Sequence, residues 1–189
     1  MSGLRIIAGS AKGRKLKMAP GSGTRPIADR VKESLFNILG LDIEEAAVMD
    51  LFAGTGGVGI EALSRGAARA VFVESDRLAV KTIQDNLRTT GLAGRARVMR
   101  SDVFIYLRND PREGSGFDYI HIAPPQYQDL WADTLKALDA RPAWVNPDGV
   151  VVAQIHPREF AELSLKNLKL VDQRKYGSTL LIFYEREGS

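Results

Sequence analysis

Asp50-Leu51-Phe52-Ala53-Gly54-Thr55-Gly56-Gly57-Val58-Gly59 is the stretch that decides the fold. It begins inside an apolar run at residues 48–52, crosses Gly54, Gly56 and Gly59 in a G-x-G-x-x-G spacing, and enters an apolar helical segment at 58–64. A strand that turns into a helix through spaced glycines brings bare backbone close to a bound nucleotide. Outward from this turn the same alternation continues. Strands are predicted at 70–74, 97–99, 119–122 and 150–155, and helices at 77–90, capped by Gly91, and at 129–138. Strands at 168–174 and 179–184 close the chain with no helix between them. Such alternation predicts an α/β fold with a mainly parallel, doubly wound, seven-stranded sheet, helices on both faces and an antiparallel hairpin at one edge.

With 189 residues, 44% hydrophobic and 26% charged, the chain has ordinary globular composition, which excludes wholesale disorder and collagen-like repeats. No apolar run reaches the roughly 18 to 20 residues of a membrane span, and no signal-peptide core follows Met1 to Arg5. Cysteine is absent, so disulfides, thiolate catalysis and cysteine metal sites are excluded. His121 and His156 are the only imidazoles, too few for a histidine-rich metal site. A cytoplasmic protein without metal is expected.

Charge is unevenly placed. Residues 1–32 carry eight basic side chains against Asp29 alone, a segment charge of +7, so the remainder of a +3 chain carries −4. The runs at 4–7 and 15–18, around Gly9-Ser10-Ala11-Lys12-Gly13, predict a hairpin with a cationic exposed face. Gly21-Ser22-Gly23-Thr24 reads as a flexible join, Pro26 as a helix start, and Ile27, Val31, Leu35 and Ile38/Leu39 recur at helical spacing. We therefore divide the chain into a basic extension, 1–40, and a ligand-binding domain, 41–189. A basic arm on a mildly acidic body suits a polyanionic partner.

The chemistry around the glycine turn selects among ligands. Glu74, at the tip of the second strand, can bind ribose hydroxyls. Asp50 would repel a pyrophosphate, but it favours the α-ammonium and sulfonium of S-adenosylmethionine, whose carboxylate suits the N–H groups of the loop. Ser101-Asp102, closing the third strand, is placed to accept from an adenine amino group; Asp50 as a loop cap and Asp102 as a helix N-cap are the purely structural alternatives. The cofactor wall is thus expected to comprise Asp50, Phe52, Ala53, Gly54, Gly56, Glu74, Ser75, Asp102 and Val103. The fourth strand ends in Ala123-Pro124-Pro125-Gln126-Tyr127, at the edge where ligands of doubly wound folds bind. Prolines fix the backbone there, their carbonyls can accept from an exocyclic amino group, and a nearby aromatic can stack on an extruded base.

These residues carry a resemblance. Residues 50–56, Glu61-Ala62-Leu63-Ser64-Arg65-Gly66-Ala67, Val73-Glu74 and the Pro-Pro segment resemble Class I amino-methyltransferases. Arg5-Ile6-Ile7-Ala8-Gly9, Lys12-Gly13-Arg14-Lys15-Leu16, the block from Thr24 to Phe36 and the closing Lys175-Tyr176-Gly177 narrow this to the RsmD family of 16S rRNA guanine-N2 methyltransferases. The resemblance spans nearly the whole chain. It implies a Rossmann-like Class I methyltransferase fold, S-adenosylmethionine as cofactor, and methyl transfer to N2 of guanine 966 of 16S rRNA during small-subunit assembly. It also implies a catalytic loop of Ala123, Pro124, Pro125 and Tyr127, and RNA contacts from Arg5, Lys12, Arg14, Lys15, Lys17, Arg25 and Arg30. One departure stands out: such enzymes usually read Asp/Asn-Pro-Pro-Tyr/Phe, whereas this chain has Ala123 and Gln126, with Tyr127 one place late.

Three other functions compete. An NAD-dependent oxidoreductase explains only the glycine spacing and Glu74. A DNA amino-methyltransferase lacks an obvious sequence-reading domain in so short a chain. An RNA-binding assembly factor without activity is suggested by Ala123. A monomer acting on RNA or on a partly assembled subunit is the expectation. His121 is expected to pack within the sheet, His156 to be structural, and Trp131 and Trp144 to serve as core or surface anchors.

Overall fold

Strand β1 (Ala47–Leu51) is buried at all five positions, which requires cover on both faces of the sheet. It pairs in parallel with β2 (Arg69–Glu74) on one side and β4 (Phe117–Ile122) on the other, so Asp50 lies between Phe72 and His121. The structure, a computed structural model, describes residues 4–19, 27–112 and 114–188. With β3 (Ala96–Arg100), β5 (Val145–Ile155), β6 (Leu168–Tyr176) and β7 (Thr179–Arg186), the sheet runs β3-β2-β1-β4-β5-β7-β6. Only the β5–β7 and β6–β7 pairs are antiparallel. This is the Rossmann-like arrangement the sequence predicts. Strand order reverses between β1 and β4, which opens a crevice at the C-terminal edge of the sheet.

The helices are α1 (Asp29–Leu39), α2 (Gly57–Ser64), α3 (Arg77–Thr90), α4 (Val103–Leu107) and α5 (Leu130–Asp139). Asp76 caps the start of α3 through its side chain, and Gly91 ends it at φ +74°. One face of the sheet packs Val48 and Phe72 against α1, α2 and the N-terminal arm; the other packs Met49 and Ile120 against Trp131 and Trp144, both core residues. Two elements differ from expectation. Helix α4 was not predicted, because five residues are too few to show a helical period. Strand β5 begins at Val145, five residues early, and passes through Pro147-Asp148-Gly149, which reads as a turn; its pairing with β4 is irregular there, between Phe117 and Tyr119.

The N-terminal arm folds back as a hairpin closed by one antiparallel bridge, Arg5 with Lys15. Ile6 N–H donates to Arg14 O (2.9 Å) and Leu16 N–H to Leu4 O (2.8 Å). Leu4, Ile6, Ala11 and Leu16 enter the same core as α1 and α2. At their junction stands Glu61 of α2, fully buried. Its carboxylate accepts from Ile7 N–H (2.9 Å) and Ala8 N–H (3.0 Å) and pairs with Lys32 Nζ (3.3 Å) and Arg65 Nε (2.9 Å). Lys32 Nζ also donates to Arg5 O at 2.6 Å. Burial draws the Lys32 ammonium below its usual range, opposed by the charge of Glu61. Ser64 extends the seam: Ser10 N–H reaches its carbonyl (2.8 Å), and its hydroxyl donates to Ala8 O (2.6 Å) and accepts from Ala11 N–H (2.9 Å). Gly9, at φ +82°, allows this approach, since a Cβ there would lie 1.8 Å from Ser64 O. Lys32, counted in the sequence among the arm's cations, therefore faces the core. The join at 21–24, Arg25 and Pro26 lie outside the described residues.

Removing one partner of a buried ion pair leaves the other unpaired in the interior. Glu61→Ala is expected to destabilise the fold by about 3 to 5 kcal/mol, read from the urea-unfolding midpoint at constant m-value. A wild-type midpoint would show that the cluster does not hold the arm.

Candidate functional site

The site grows from the ends of β1, β2, β4 and β5. After β1 the backbone takes three left-handed residues, Phe52 (φ +58°), Gly54 (+57°) and Gly56 (+78°). Ala53 N–H donates to Val73 O (3.2 Å) and Gly56 N–H to Ala53 O (2.8 Å), and Gly56 then starts α2. The third glycine serves packing: a Cβ on Gly59 would lie 2.3 Å from the ring of Phe72, so its absence lets α2 rest on β2.

Asp50 is buried and engaged inside the protein. Its Oδ2 accepts from Gly59 N–H (3.0 Å), and its Oδ1 meets His121 Nδ1 at 3.0 Å. His121 Nε2 lies 3.2 Å from Gln154 Oε1. His121 is within the sheet as expected, yet it is part of a polar chain that the sequence did not reveal. Glu74 spans the tip of β2: Oε2 accepts from Gly54 N–H (2.8 Å) and Oε1 from Asp76 N–H (2.9 Å). Ser75 beside it is exposed. Asp102 is the N-cap of α4, its Oδ1 accepting from Phe104 N–H (2.9 Å) and Ile105 N–H (3.0 Å), while Oδ2 takes no part in the cap; Val103 is buried beneath.

At the end of β4, Ala123 N–H donates to Leu51 O at 3.4 Å, and Ala123, Pro124 and Pro125 are half-buried. Tyr127 is 65% exposed at φ +60°. It is not loose: its N–H donates to Glu159 Oε1 (2.7 Å), and its ring centroid is 5.7 Å from that of His156. His156 in turn caps the turn after β5, its N–H donating to Glu159 Oε2 (3.0 Å) and its Nδ1 accepting from Arg158 N–H (3.2 Å). The structural expectation for His156 fits this cap. Glu159, which fastens the aromatic to the end of β5, was missed in the sequence, and the Glu three residues after a cap position was its only signal.

One cleft of about 60 Å³ is lined by Asp50, Phe52, Ala53, Gly54, Thr55, His121, Ala123 and Gln154 and walled by Leu4 and Ile27 from the N-terminal segment. The structure thus brings the glycine loop and Ala123 together. Gly56, Pro124, Pro125 and Tyr127 lie outside this lining, as do Glu74, Ser75, Asp102 and Val103, which stand along the same sheet edge at the tips of β2 and β3. On the arm, Arg5, Lys12, Arg14, Lys15 and Lys17 are exposed, as is Arg30 on α1. Arg5 pairs with Asp29 (3.2 Å) and Lys17 with Asp85 (3.5 Å). Arg25 falls outside the described residues. Among the described residues no helix is long and apolar enough to cross a membrane, and no group of three or more His, Cys, Asp or Glu could hold a metal.

Comparison with known proteins places the chain in a family. The family described as "Conserved hypothetical protein 95" matches residues 4–185. "Ribosomal RNA small subunit methyltransferase D" of Escherichia coli (strain K12) is 33% identical over 185 residues, covering 98% of this chain and 91% of that protein. A solved structure of yhhF from Escherichia coli superposes with a TM-score of 0.85 at 33% identity, covering 98% of each chain. An RNA methyltransferase from Salinibacter ruber, in complex with S-adenosyl-L-homocysteine, shares the fold at a TM-score of 0.66 and 17% identity, over 87% of this chain and 95% of that one.

Proposed function

This chain belongs to the RsmD family of ribosomal RNA small subunit methyltransferases, and from that premise we propose that it methylates N2 of a guanine in 16S rRNA, guanine 966 in the usual bacterial numbering, using S-adenosylmethionine. The observation that carries the proposal is the convergence of the glycine loop, the Glu74 carboxylate and the Ala-Pro-Pro segment on one sheet edge, with a basic arm fastened beside them.

The donor set fits the cofactor. Glu74 holds Gly54 N–H and retains acceptor capacity for ribose hydroxyls, while Asp102 keeps Oδ2 for an adenine amino group. Asp50, buried behind the loop with its carboxylate already bonded, acts through its field, which favours a cation in the cleft and opposes a pyrophosphate. This weighs against a dinucleotide. When bound, S-adenosylmethionine supplies an electrophilic methyl on a sulfonium, and a guanine amino nitrogen that takes it sheds one proton.

The protein's own part is placement. The amino lone pair is delocalised into the guanine ring, so acceptors for its N–H bonds are needed to favour the reactive geometry. Ala123 and Pro124 offer backbone carbonyls there, held by proline-fixed backbone. Tyr127, pinned by Glu159, offers an exposed ring for the extruded base. The exposed cations of the arm grip the phosphate backbone, and Glu61 fixes their distance from the cleft. The partner is 16S rRNA or a small-subunit assembly intermediate, met in the cytoplasm by a monomer. Ala123 favours a second reading, an RNA-binding assembly factor of low or no activity.

Nucleoside mass spectrometry of 16S rRNA, free and in partly assembled subunits, after incubation with protein and S-adenosylmethionine decides between them. One new N2-methylguanosine is expected; a methyl on another nucleoside contradicts the proposal, and none on any substrate supports the assembly factor. Replacing Lys12, Arg14, Lys15 and Lys17 with alanine should weaken RNA binding and flatten its salt dependence by roughly 0.7 to 0.9 log unit per lost phosphate contact. Filter binding across a salt series measures this, and an unchanged slope would make the arm a solvated hairpin only.

A further inference from the structure

Asp50, His121 and Gln154 stand on three adjacent strands, on the sheet face that carries Val48, Tyr119 and Val152 into the core. Polar groups in such a face are costly unless each is hydrogen-bonded, and these are: 3.0 Å between Asp50 and His121, 3.2 Å between His121 and Gln154. Capping α2 accounts for only one end of the chain, since it uses Asp50 Oδ2 and Gly59 N–H and requires neither His121 nor Gln154. The other end faces the cleft. Gln154 is half-buried and lines the same space as Ala123 and the glycine loop. Ile122 pairs with Ala153 in parallel register, so the next residues, Ala123 and Gln154, come abreast at the strand ends.

The hydrogen bonding orients the chain. A carboxylate only accepts, so with Asp50 ionised and the imidazole neutral His121 Nδ1 carries the proton in that bond, and Nε2, which faces Gln154 Oε1 in the structure, is left as an acceptor. A half-turn of the Gln154 amide lets its N–H donate to Nε2 and turns its carbonyl oxygen to the cleft. That carbonyl is a side-chain acceptor beside Ala123, whose own side chain, just past β4, is only a methyl.

We propose that Gln154 accepts a hydrogen bond from the exocyclic amino group of the substrate base, supplying from β5 the acceptor that Ala123 lacks on β4. His121 and Asp50 are its positioning residues. No proton is transferred through the chain; its contribution is aim. This rests on the reading of the protein as a guanine-N2 methyltransferase.

The test has two arms. In the first, Gln154→Leu should lower the single-turnover methyl-transfer constant at saturating S-adenosylmethionine roughly tenfold, the effect of one lost hydrogen bond to the reacting group. S-adenosylhomocysteine affinity by calorimetry should stay within about twofold. Adding Ala123→Asn to Gln154→Leu should recover most of the rate, a rescue that a merely structural glutamine would not show. In the second, the wild-type protein saturated with S-adenosylhomocysteine is titrated with guanosine 5′-monophosphate while the side-chain amide of Gln154 is followed by NMR, and its signals should move. A wild-type rate in folded Gln154→Leu, or an unmoved Gln154 amide, overturns the proposal. A wild type that shifts the Gln154 signals but methylates no RNA upholds the contact and contradicts the methyltransferase reading instead.

Discussion

A buried carboxylate must be surrounded by donors, and Glu61 recruits four of them from three separate parts of the chain. Two are backbone amides of the arm, one is Lys32 on α1, and one is Arg65 just past α2. This arrangement fixes the placement of the N-terminal segment. On its own the arm is a short hairpin with one bridge, too little structure to hold itself, and its apolar side chains and the Ser64 hydrogen bonds add to the hold of Glu61. With it, Leu4 and Ile27 become walls of the cleft and the basic side chains keep a defined distance from the glycine loop. Arg65, the C-cap of α2, stands four residues on from Glu61, and its guanidinium thereby reaches the Glu61 carboxylate.

The cleft follows from the order of the strands. β1 and β4 separate the two halves of the winding, and the loops that leave them diverge at the C-terminal edge. Asp50 stabilises that divergence by bonding forward to α2 and sideways to β4. One carboxylate thus shapes the glycine loop, sets the field of the cleft and begins the chain that leads through His121 to Gln154. The site is assembled from neighbouring strands, so its parts are far apart in sequence.

That separation sets what the sequence could convey. Strand and helix periods, the three glycines and the cap at Gly91 are local features, and the sheet with its closing hairpin follows from them. The ends of β1, β2 and β4 are equally local, and so Asp50, Glu74 and Ala123 can be read as candidate site positions. Lys32 reads as one more cation of a basic arm, because only the fold reveals Glu61 opposite it. His121 and Gln154 are unremarkable in their own strands; their pairing depends on β4 and β5 lying side by side in a given register. Likewise Glu159 belongs to the turn after β5 and reaches Tyr127 across 32 residues. Helix α4 and the early part of β5 escape for a different reason, being too short or too irregular to show a period.

The central claim is that the basic arm and the sheet edge that carries the cleft form one body through Glu61. Native-state hydrogen exchange at the amides of Ile7 and Ala8 tests it directly, since both donate to that buried carboxylate. The account predicts protection within about tenfold of the core amide of Met49 in β1, as expected when opening the arm requires opening the fold. Exchange of Ile7 and Ala8 at the rate of an exposed loop, with Met49 still protected, would contradict it.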